Sequence, residues 1–191
     1  MNMRRLGMLA AMSLIAVSSS GAGAKKGDDP LLRPIVPEYA ARWLTPQRPA
    51  RIHGNSYMVG FGSLSVGLIK TRAGLILIDG GVPQGVAQVE RNIRALGFSI
   101  RDVKLILSTE PHYDHAGGLA ALARDSGATV LAGAAAVPVL KAGRSGAEDP
   151  QMAWLEAFPA VNRVRAVKDG EAIRLGEVTV RAVATPGHTP G

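Results

Sequence analysis

The sequence predicts an α/β fold with a mixed sheet. Apolar runs of strand length alternate with helical patterns between residues 56 and 132, as is typical of α/β domains. Two of these runs, residues 75–78 and 103–107, are the strongest candidates for central, buried strands. Further strand patterns follow from residue 164 to residue 184. The chain has 191 residues, 47% of them hydrophobic, which is enough for one domain with a sizeable core.

The composition excludes several classes of function. No cysteine is present, so disulfide scaffolds, thiol catalysis and thiolate zinc sites are excluded. The formal net charge is +7, but the Lys and Arg residues are spread along the chain rather than clustered. This distribution argues against a nucleic-acid partner.

Residues 1–24 look like a secretory signal peptide. Arg4 and Arg5 supply a positive end, residues 6–17 form a short apolar run, and residues 22–24 offer small side chains for cleavage. The apolar run is short for a membrane-spanning helix. We therefore expect export to a bacterial periplasm without a stable membrane anchor. The alternative is an uncleaved anchor.

Residues 25–49 form a proline-rich lead-in, which we expect to wrap around the domain rather than to fold separately. Trp43 is predicted to anchor this segment by packing. Alternatively, it lines a substrate groove. The main domain is then expected to occupy residues 50–191.

Residues 51–79 are predicted to form successive strands, at residues 56–59, 64–70 and 75–78. The last of these strands ends in Asp79, followed by two glycines. Asp79 is expected either to cap the next helix or to support a metal ligand through a hydrogen bond. His53 lies near a strand end or turn, and we assign it to the surface.

Residues 83–96 are predicted to form an amphipathic helix. Apolar side chains recur there at steps of three or four residues, and Gly97 follows where a left-handed cap belongs. The apolar side chains of this helix are Val86, Val89, Ile93 and Leu96.

The loop after the strand at residues 103–107 holds four potential metal ligands, and such strand ends are where open α/β sheets place their sites. Glu110 and His112 are two residues apart, so in an extended segment both side chains can face one ion. Asp114 and His115 follow as the chain turns, so their side chains can face a second metal position nearby. Imidazole and carboxylate donors together suit zinc. The alternative interpretation is a polar loop with scattered histidines.

The second half of the chain continues the alternation of helices and strands. We expect helices at residues 119–124 and 134–141, although Pro138 weakens the second, and a strand at residues 129–132. Residues 164–184 are predicted to form antiparallel strands with glycine-containing turns. Three apolar side chains before these strands are expected to pack: Trp154, Leu155 and Phe158. Alternatively, one of them faces the substrate groove.

His188 follows the last predicted strand in a rigid Pro/Gly segment. A lone histidine in such a place is usually not a ligand. The cluster upstream changes this expectation, because His188 can supply a third donor to the ion held by Glu110 and His112.

These motifs resemble those of the metallo-β-lactamase superfamily. His112-Tyr113-Asp114-His115 looks like its His-x-Asp-His motif, and residues 185–191 look like its second metal motif. Residues 77–81 resemble the strand before its first long helix. Residues 52–57, 95–98 and 116–119 are most similar to subclass B3 metallo-β-lactamases.

The resemblance implies an αββα sandwich that binds two zinc ions and opens the β-lactam ring of antibiotics with a metal-bound hydroxide. His112 and His188 would hold the first zinc, and Asp114 and His115 the second. Asp114 would also act in catalysis by orienting the attacking water and relaying its proton. The family resemblance further implies a small β-lactam substrate, and we expect a monomer.

Two departures from the family pattern stand out. Glu110 occupies the place where the family usually has a histidine, and its negative charge should make the first zinc a weaker Lewis acid. Alternatively, Glu110 turns away and leaves that site weakly filled. The family also supplies a further histidine after the second motif, so we expect the domain of residues 50–191 to be incomplete and truncated after that motif.

Two other functions stay open at this point. One is a different hydrolase of the same fold that acts on a lactone, thioester or phosphoester, suggested by Glu110. The other is a non-catalytic, metal-binding domain, suggested by the expected truncation.

Overall fold

The computed structural model describes residues 29–190, which form a seven-stranded sheet, a two-stranded sheet and five α-helices. The predicted α/β class with a mixed sheet is therefore confirmed. The strands are β1 (Ala50–His53), β2 (Ser56–Met58), β3 (Gly67–Thr71), β4 (Gly74–Ile78), β5 (Val103–Leu107), β6 (Thr129–Gly133), β7 (Val164–Val167), β8 (Ala172–Leu175) and β9 (Val178–Arg181). The helices are α1 (Pro37–Trp43), α2 (Val86–Ala95), α3 (Tyr113–Ala116), α4 (Leu119–Ser126) and α5 (Ala136–Ala142).

The large sheet follows chain order from β1 to β7. Strands β1 to β4 pair antiparallel in succession, whereas β4, β5, β6 and β7 pair parallel. Parallel neighbours need crossover connections, and α2, α4 and α5 lie within those connections. The carboxyl ends of β4 and β5 consequently meet at one edge of the sheet.

The strand prediction for residues 164–184 is partly wrong. β8 and β9 do form an antiparallel hairpin, but β7 joins the large sheet and runs parallel to β6. Local turn signals around residue 170 could not reveal this pairing, because the strand that β7 contacts lies more than 30 residues earlier in the chain.

The hydrophobic core lies between one face of the large sheet and the helices. Leu77 of β4 and Ile106 of β5 are fully buried there, together with Val89 and Ile93 on the predicted apolar face of α2. This helix begins after a 3-10 turn at Pro83–Gly85, and Gly97 takes the expected left-handed conformation. The hairpin is the second layer, in which β8 contacts β4.

Pro138 does not break the helix predicted around it. α5 begins at Ala136, so Pro138 lies in the first turn, where backbone N–H groups have no partner within the helix. The same region contains one wrong prediction. Phe158 is buried and Leu155 packs against the core, but Trp154 is 83% exposed.

The lead-in segment is tied to the domain, and it contains helix α1, which was not predicted from the sequence. The Trp43 ring stacks on Tyr113 with centroids 6.2 Å apart, and the Tyr39 and Tyr113 hydroxyls are 2.7 Å apart. Trp43 therefore packs as an anchor. Residues 1–24, the predicted signal peptide, lie outside the described residues. Over residues 29–190, no helix has the length and apolar character to cross a membrane.

Candidate metal centre

The candidate site lies at the edge of the sheet where β4 and β5 end. Asp79 follows β4, and Glu110 and His112 follow β5. The two strand ends are joined by the Asp79 N–H, which donates to the Leu107 carbonyl at 2.8 Å. The parallel register thus brings together two stretches that are 30 residues apart in the sequence.

Close backbone packing fixes the loop that carries the ligands. The Gly118 N–H donates to the Gly81 carbonyl at 2.8 Å, and the Gly80 N–H donates to the His115 carbonyl at 2.9 Å. A Cβ atom on Gly118 would collide with the Gly80 carbonyl oxygen, so this approach requires glycine. The two glycine pairs therefore position helix α3, which the sequence analysis treated as loop.

Glu110, His112 and His188 form one cluster of potential metal ligands. One donor atom from each lies within 4.8 Å of the other two. Glu110 Oε2 is 2.9 Å from His112 Nδ1, and Glu110 Oε1 is 3.4 Å from His188 Nε2. The expectation that Glu110 and His112 face one point is confirmed, and His188 joins them from the segment after β9.

The Glu110 carboxylate supplies a test of whether this cluster fits a cation. Its Oε2 atom is buried and has no hydrogen-bond donor among the residues that the structure describes. The 2.9 Å contact with His112 Nδ1 lacks hydrogen-bond geometry, although the two atoms are close. A buried carboxylate oxygen without a donor is unfavourable unless a cation compensates it. Two imidazoles and one carboxylate are a donor set that zinc accepts.

Asp114 and His115 lie beside this cluster, on α3. His115 Nε2 is 3.3 Å from Glu110 Oε1 and 3.7 Å from Asp114 Oδ2. His115 thus lies against both Glu110 and Asp114, and the role of Asp114 and His115 as ligands of a second ion stays a prediction. Burial opposes the charged form of His115, but the hydrogen bond that its Nδ1–H donates to Asp79 and the nearby Asp114 and Glu110 carboxylates raise its pKa to about 9.

Asp79 supports His115 rather than capping the next helix. Its Oδ2 atom lies 2.9 Å from His115 Nδ1, and Thr109 donates to both carboxylate oxygens of Asp79, from its N–H and from its hydroxyl. Asp79 has a φ of 63°, a left-handed conformation that is uncommon outside glycine. Of the two roles proposed for Asp79 from the sequence, the geometry favours the support of a ligand.

The sequence analysis missed two residues of this site. Asp149 Oδ2 lies 2.9 Å from His112 Nε2, and both side chains are only 3% exposed. Gln151 Nε2 lies 3.2 Å from His188 Nδ1. Burial would raise the pKa of Asp149, but hydrogen bonds from the Gln151 N–H and from His112 hold it below its usual range. No local motif marks either residue, because their partners are 37 positions away.

An open cleft of about 820 Å³ borders the ligand cluster. Glu110, His115 and His188 contribute to its wall, and further lining comes from the ends of β5, β6 and β7, from the β8–β9 hairpin and from the segment after β9. A small molecule in this cleft would therefore contact the potential metal ligands directly.

Comparisons with known proteins agree with this geometry. Residues 59–191 match the model of the metallo-beta-lactamase superfamily. A solved structure named as the first B3 metallo-beta-lactamase with an active-site glutamic acid is 57% identical, with a TM-score of 0.84 over 86% of this chain and 62% of that one. The Rm3 metallo-beta-lactamase is 47% identical, with a TM-score of 0.79 over 81% of this chain and 57% of that one.

A more distant relative has another activity in its name. The hydroxyacylglutathione hydrolase of Idiomarina loihiensis is 28% identical over 116 residues, which are 60% of this chain and 34% of that protein. The present chain thus spans less than two thirds of the length of the relatives described here. The superfamily match covers most of the chain and includes every residue of the ligand cluster. The chain belongs to the metallo-β-lactamase superfamily.

Proposed function

We propose that this protein is a zinc-dependent hydrolase of the subclass B3 type that opens the β-lactam ring of antibiotics. The observation that carries the proposal is the Glu110, His112 and His188 cluster, in which a buried carboxylate oxygen lacks a hydrogen-bond donor from residues 29–190. The solved structure with 57% identity is a B3 metallo-beta-lactamase with an active-site glutamic acid, which supports a glutamate in this position.

The side chains of the site would then divide into two sets of metal ligands. Glu110, His112 and His188 would hold one zinc ion, and Asp114 and His115 would hold a second. Zinc, when bound, lowers the pKa of water to about 7 and polarises the substrate carbonyl. The Asp114 carboxylate orients the attacking water and accepts its proton. As the carbonyl carbon–nitrogen bond breaks, Asp114 delivers that proton to the leaving ring nitrogen.

Glu110 alters the electrostatics of the first zinc. A carboxylate adds one negative charge where an imidazole would add none, and Asp79 and Asp114 already lie beside the neighbouring His115. The first zinc should therefore be a weaker Lewis acid than one held by three histidines.

We also propose that the protein acts in a bacterial periplasm as a monomer. The signal-like residues 1–24 support export, and β-lactam antibiotics act on cell-wall synthesis outside the cytoplasmic membrane.

The test is carbapenem hydrolysis by the full-length gene product, measured before chelation, after chelation and after zinc is restored. We expect turnover that the chelator abolishes and zinc restores. Absence of turnover in a folded protein that binds zinc would overturn the proposal.

A thioester hydrolase is the second candidate, because the relative from Idiomarina loihiensis is named a hydroxyacylglutathione hydrolase. Parallel assays with a glutathione thioester and a carbapenem distinguish the two activities. Turnover of the thioester alone would replace the β-lactamase proposal.

A further inference from the structure

His112 is the most buried histidine of the ligand cluster, and both of its ring nitrogens face carboxylates. Nδ1 lies 2.9 Å from Glu110 Oε2, on the side of the proposed zinc, and Nε2 lies 2.9 Å from Asp149 Oδ2. Carboxylate oxygens accept hydrogen bonds and do not donate them. A neutral His112 bonded to Asp149 therefore carries its proton at Nε2. Its lone pair is then at Nδ1, where it faces Glu110.

Asp149 is itself held firmly. Its Oδ1 atom accepts the Gln151 N–H at 2.9 Å, and its backbone N–H donates to the Gly146 carbonyl at 3.1 Å. The Met152 N–H donates to the Asp149 carbonyl at 3.1 Å. One carboxylate oxygen thus shapes the loop, which leaves the other directed at His112.

The same arrangement occurs at His115. There Asp79 Oδ2 lies 2.9 Å from Nδ1, and Nε2 faces Glu110 and Asp114. Each of the two histidines thus has a buried aspartate on the far side of its ring. The two aspartates come from unrelated parts of the chain, one from the end of β4 and one from the loop after α5.

We propose that Asp149 is a positioning residue for the metal centre, which fixes the tautomer and ring orientation of His112 so that Nδ1 binds zinc. This inference rests on the proposed zinc site. Outer partners of metal-binding histidines typically change metal affinity by about 10- to 100-fold when removed. Asp149 acts through His112 and touches neither substrate nor reacting atoms.

The substitution Asp149→Asn tests this role at nearly constant volume. An asparagine has one oxygen and one NH2 group, so it cannot accept from both the Gln151 N–H and His112 Nε2. If its NH2 faces His112, Nε2 becomes an acceptor and the proton moves to Nδ1, which blocks the zinc side. Glu148→Gln is the matched control, because it removes the charge of the neighbouring, exposed carboxylate.

The primary readout is zinc affinity, measured on the full-length gene product by competition with a chromophoric chelator. We expect Asp149→Asn to weaken the binding of one zinc equivalent by about 10- to 100-fold and Glu148→Gln to change it less than about twofold. An Asp149→Asn variant that is folded and binds zinc like wild type would overturn the inference alone. Wild-type protein that binds no zinc would overturn the proposed function together with it.

A second readout does not require the Asp149→Asn variant. Nitrogen-15 NMR of the histidine rings in zinc-loaded wild-type protein reports which nitrogen carries the proton, with the His112 signals assigned by their loss in His112→Gln. We expect His112 to carry its proton at Nε2, with slow exchange because the group is buried. A proton at Nδ1 would overturn the inference.

Discussion

The loop after β5 and the segment after β9 each bring a histidine to Glu110, but the two histidines are held differently. His112 is 3% exposed and is bonded to a buried carboxylate, whereas His188 is 64% exposed and contacts the neutral amide of Gln151. The first region is fixed by parallel strands and glycine contacts. The second extends from a two-stranded hairpin. Two of the three residues of the ligand cluster, Glu110 and His112, are therefore built into the loop after β5, and His188 is added from the surface.

The largest expected difference concerns the two histidines themselves. In the presence of chelator, His112→Ala should lower the free energy of unfolding by about 3 kcal/mol, because it leaves a cavity and an unpaired buried carboxylate at Asp149. His188→Ala should lower it by less than about 0.5 kcal/mol, since that side chain is mostly in water. Urea denaturation measures both. Equal losses would show that the two regions are held alike.

Substitutions in the large sheet should likewise lower the stability more than substitutions in the two-stranded sheet. Leu77→Ala in β4 should lower the free energy of unfolding by about 2–5 kcal/mol, because this leucine is fully buried in the core. Leu175→Ala in β8 removes a partly exposed side chain and should lower it by about 1 kcal/mol. The measurement is again the urea midpoint at constant slope. A larger loss for Leu175→Ala would contradict the assignment of the core to the large sheet.

The lead-in segment should make a smaller contribution to the stability of the region after β5, which carries Glu110 and His112. Tyr39→Phe removes the hydroxyl that lies 2.7 Å from the Tyr113 hydroxyl on α3, and should lower the unfolding free energy by about 1 kcal/mol. Tyr57→Phe, whose ring contacts Phe98 edge-on, is the control and should change it by less than about 0.5 kcal/mol. Thermal denaturation of both variants measures the difference. If Tyr39→Phe unfolds with the same free energy as wild type, the lead-in segment does not stabilise the loop that carries the metal ligands.

The smallest expected effect concerns the exposed segment after β9, which carries His188. Gln151→Ala removes a neutral side-chain contact at 3.2 Å from an exposed histidine, so zinc affinity should change by less than about threefold. Chelator competition gives this value under the same conditions as for Asp149→Asn. A larger loss of zinc affinity in Gln151→Ala than in Asp149→Asn would show that the partner of the exposed His188 matters more than the partner of the buried His112.

Most of the fold could be predicted from local patterns. The apolar runs of β4 and β5, the apolar face of α2 and the cap at Gly97 are all encoded by neighbouring residues. Helix α1 in the lead-in and the parallel pairing of β7 were not foreseen, because tertiary contacts with distant segments stabilise them. Trp154 was assigned to the core because it is a large apolar residue, yet it lies in water.

Local sequence was enough to predict the candidate ligands of the site. Glu110, His112, Asp114 and His115 are close in the chain and follow a buried strand, so their spacing predicts a cluster of metal ligands, and the second motif adds His188. The partners that orient these side chains, in contrast, follow from the folded domain. Asp79 and Asp149 reach the histidines across 36 and 37 positions, through a strand register and a loop turn. Such contacts depend on the packing of the whole domain, because no local spacing fixes the distance between residues so far apart in the chain.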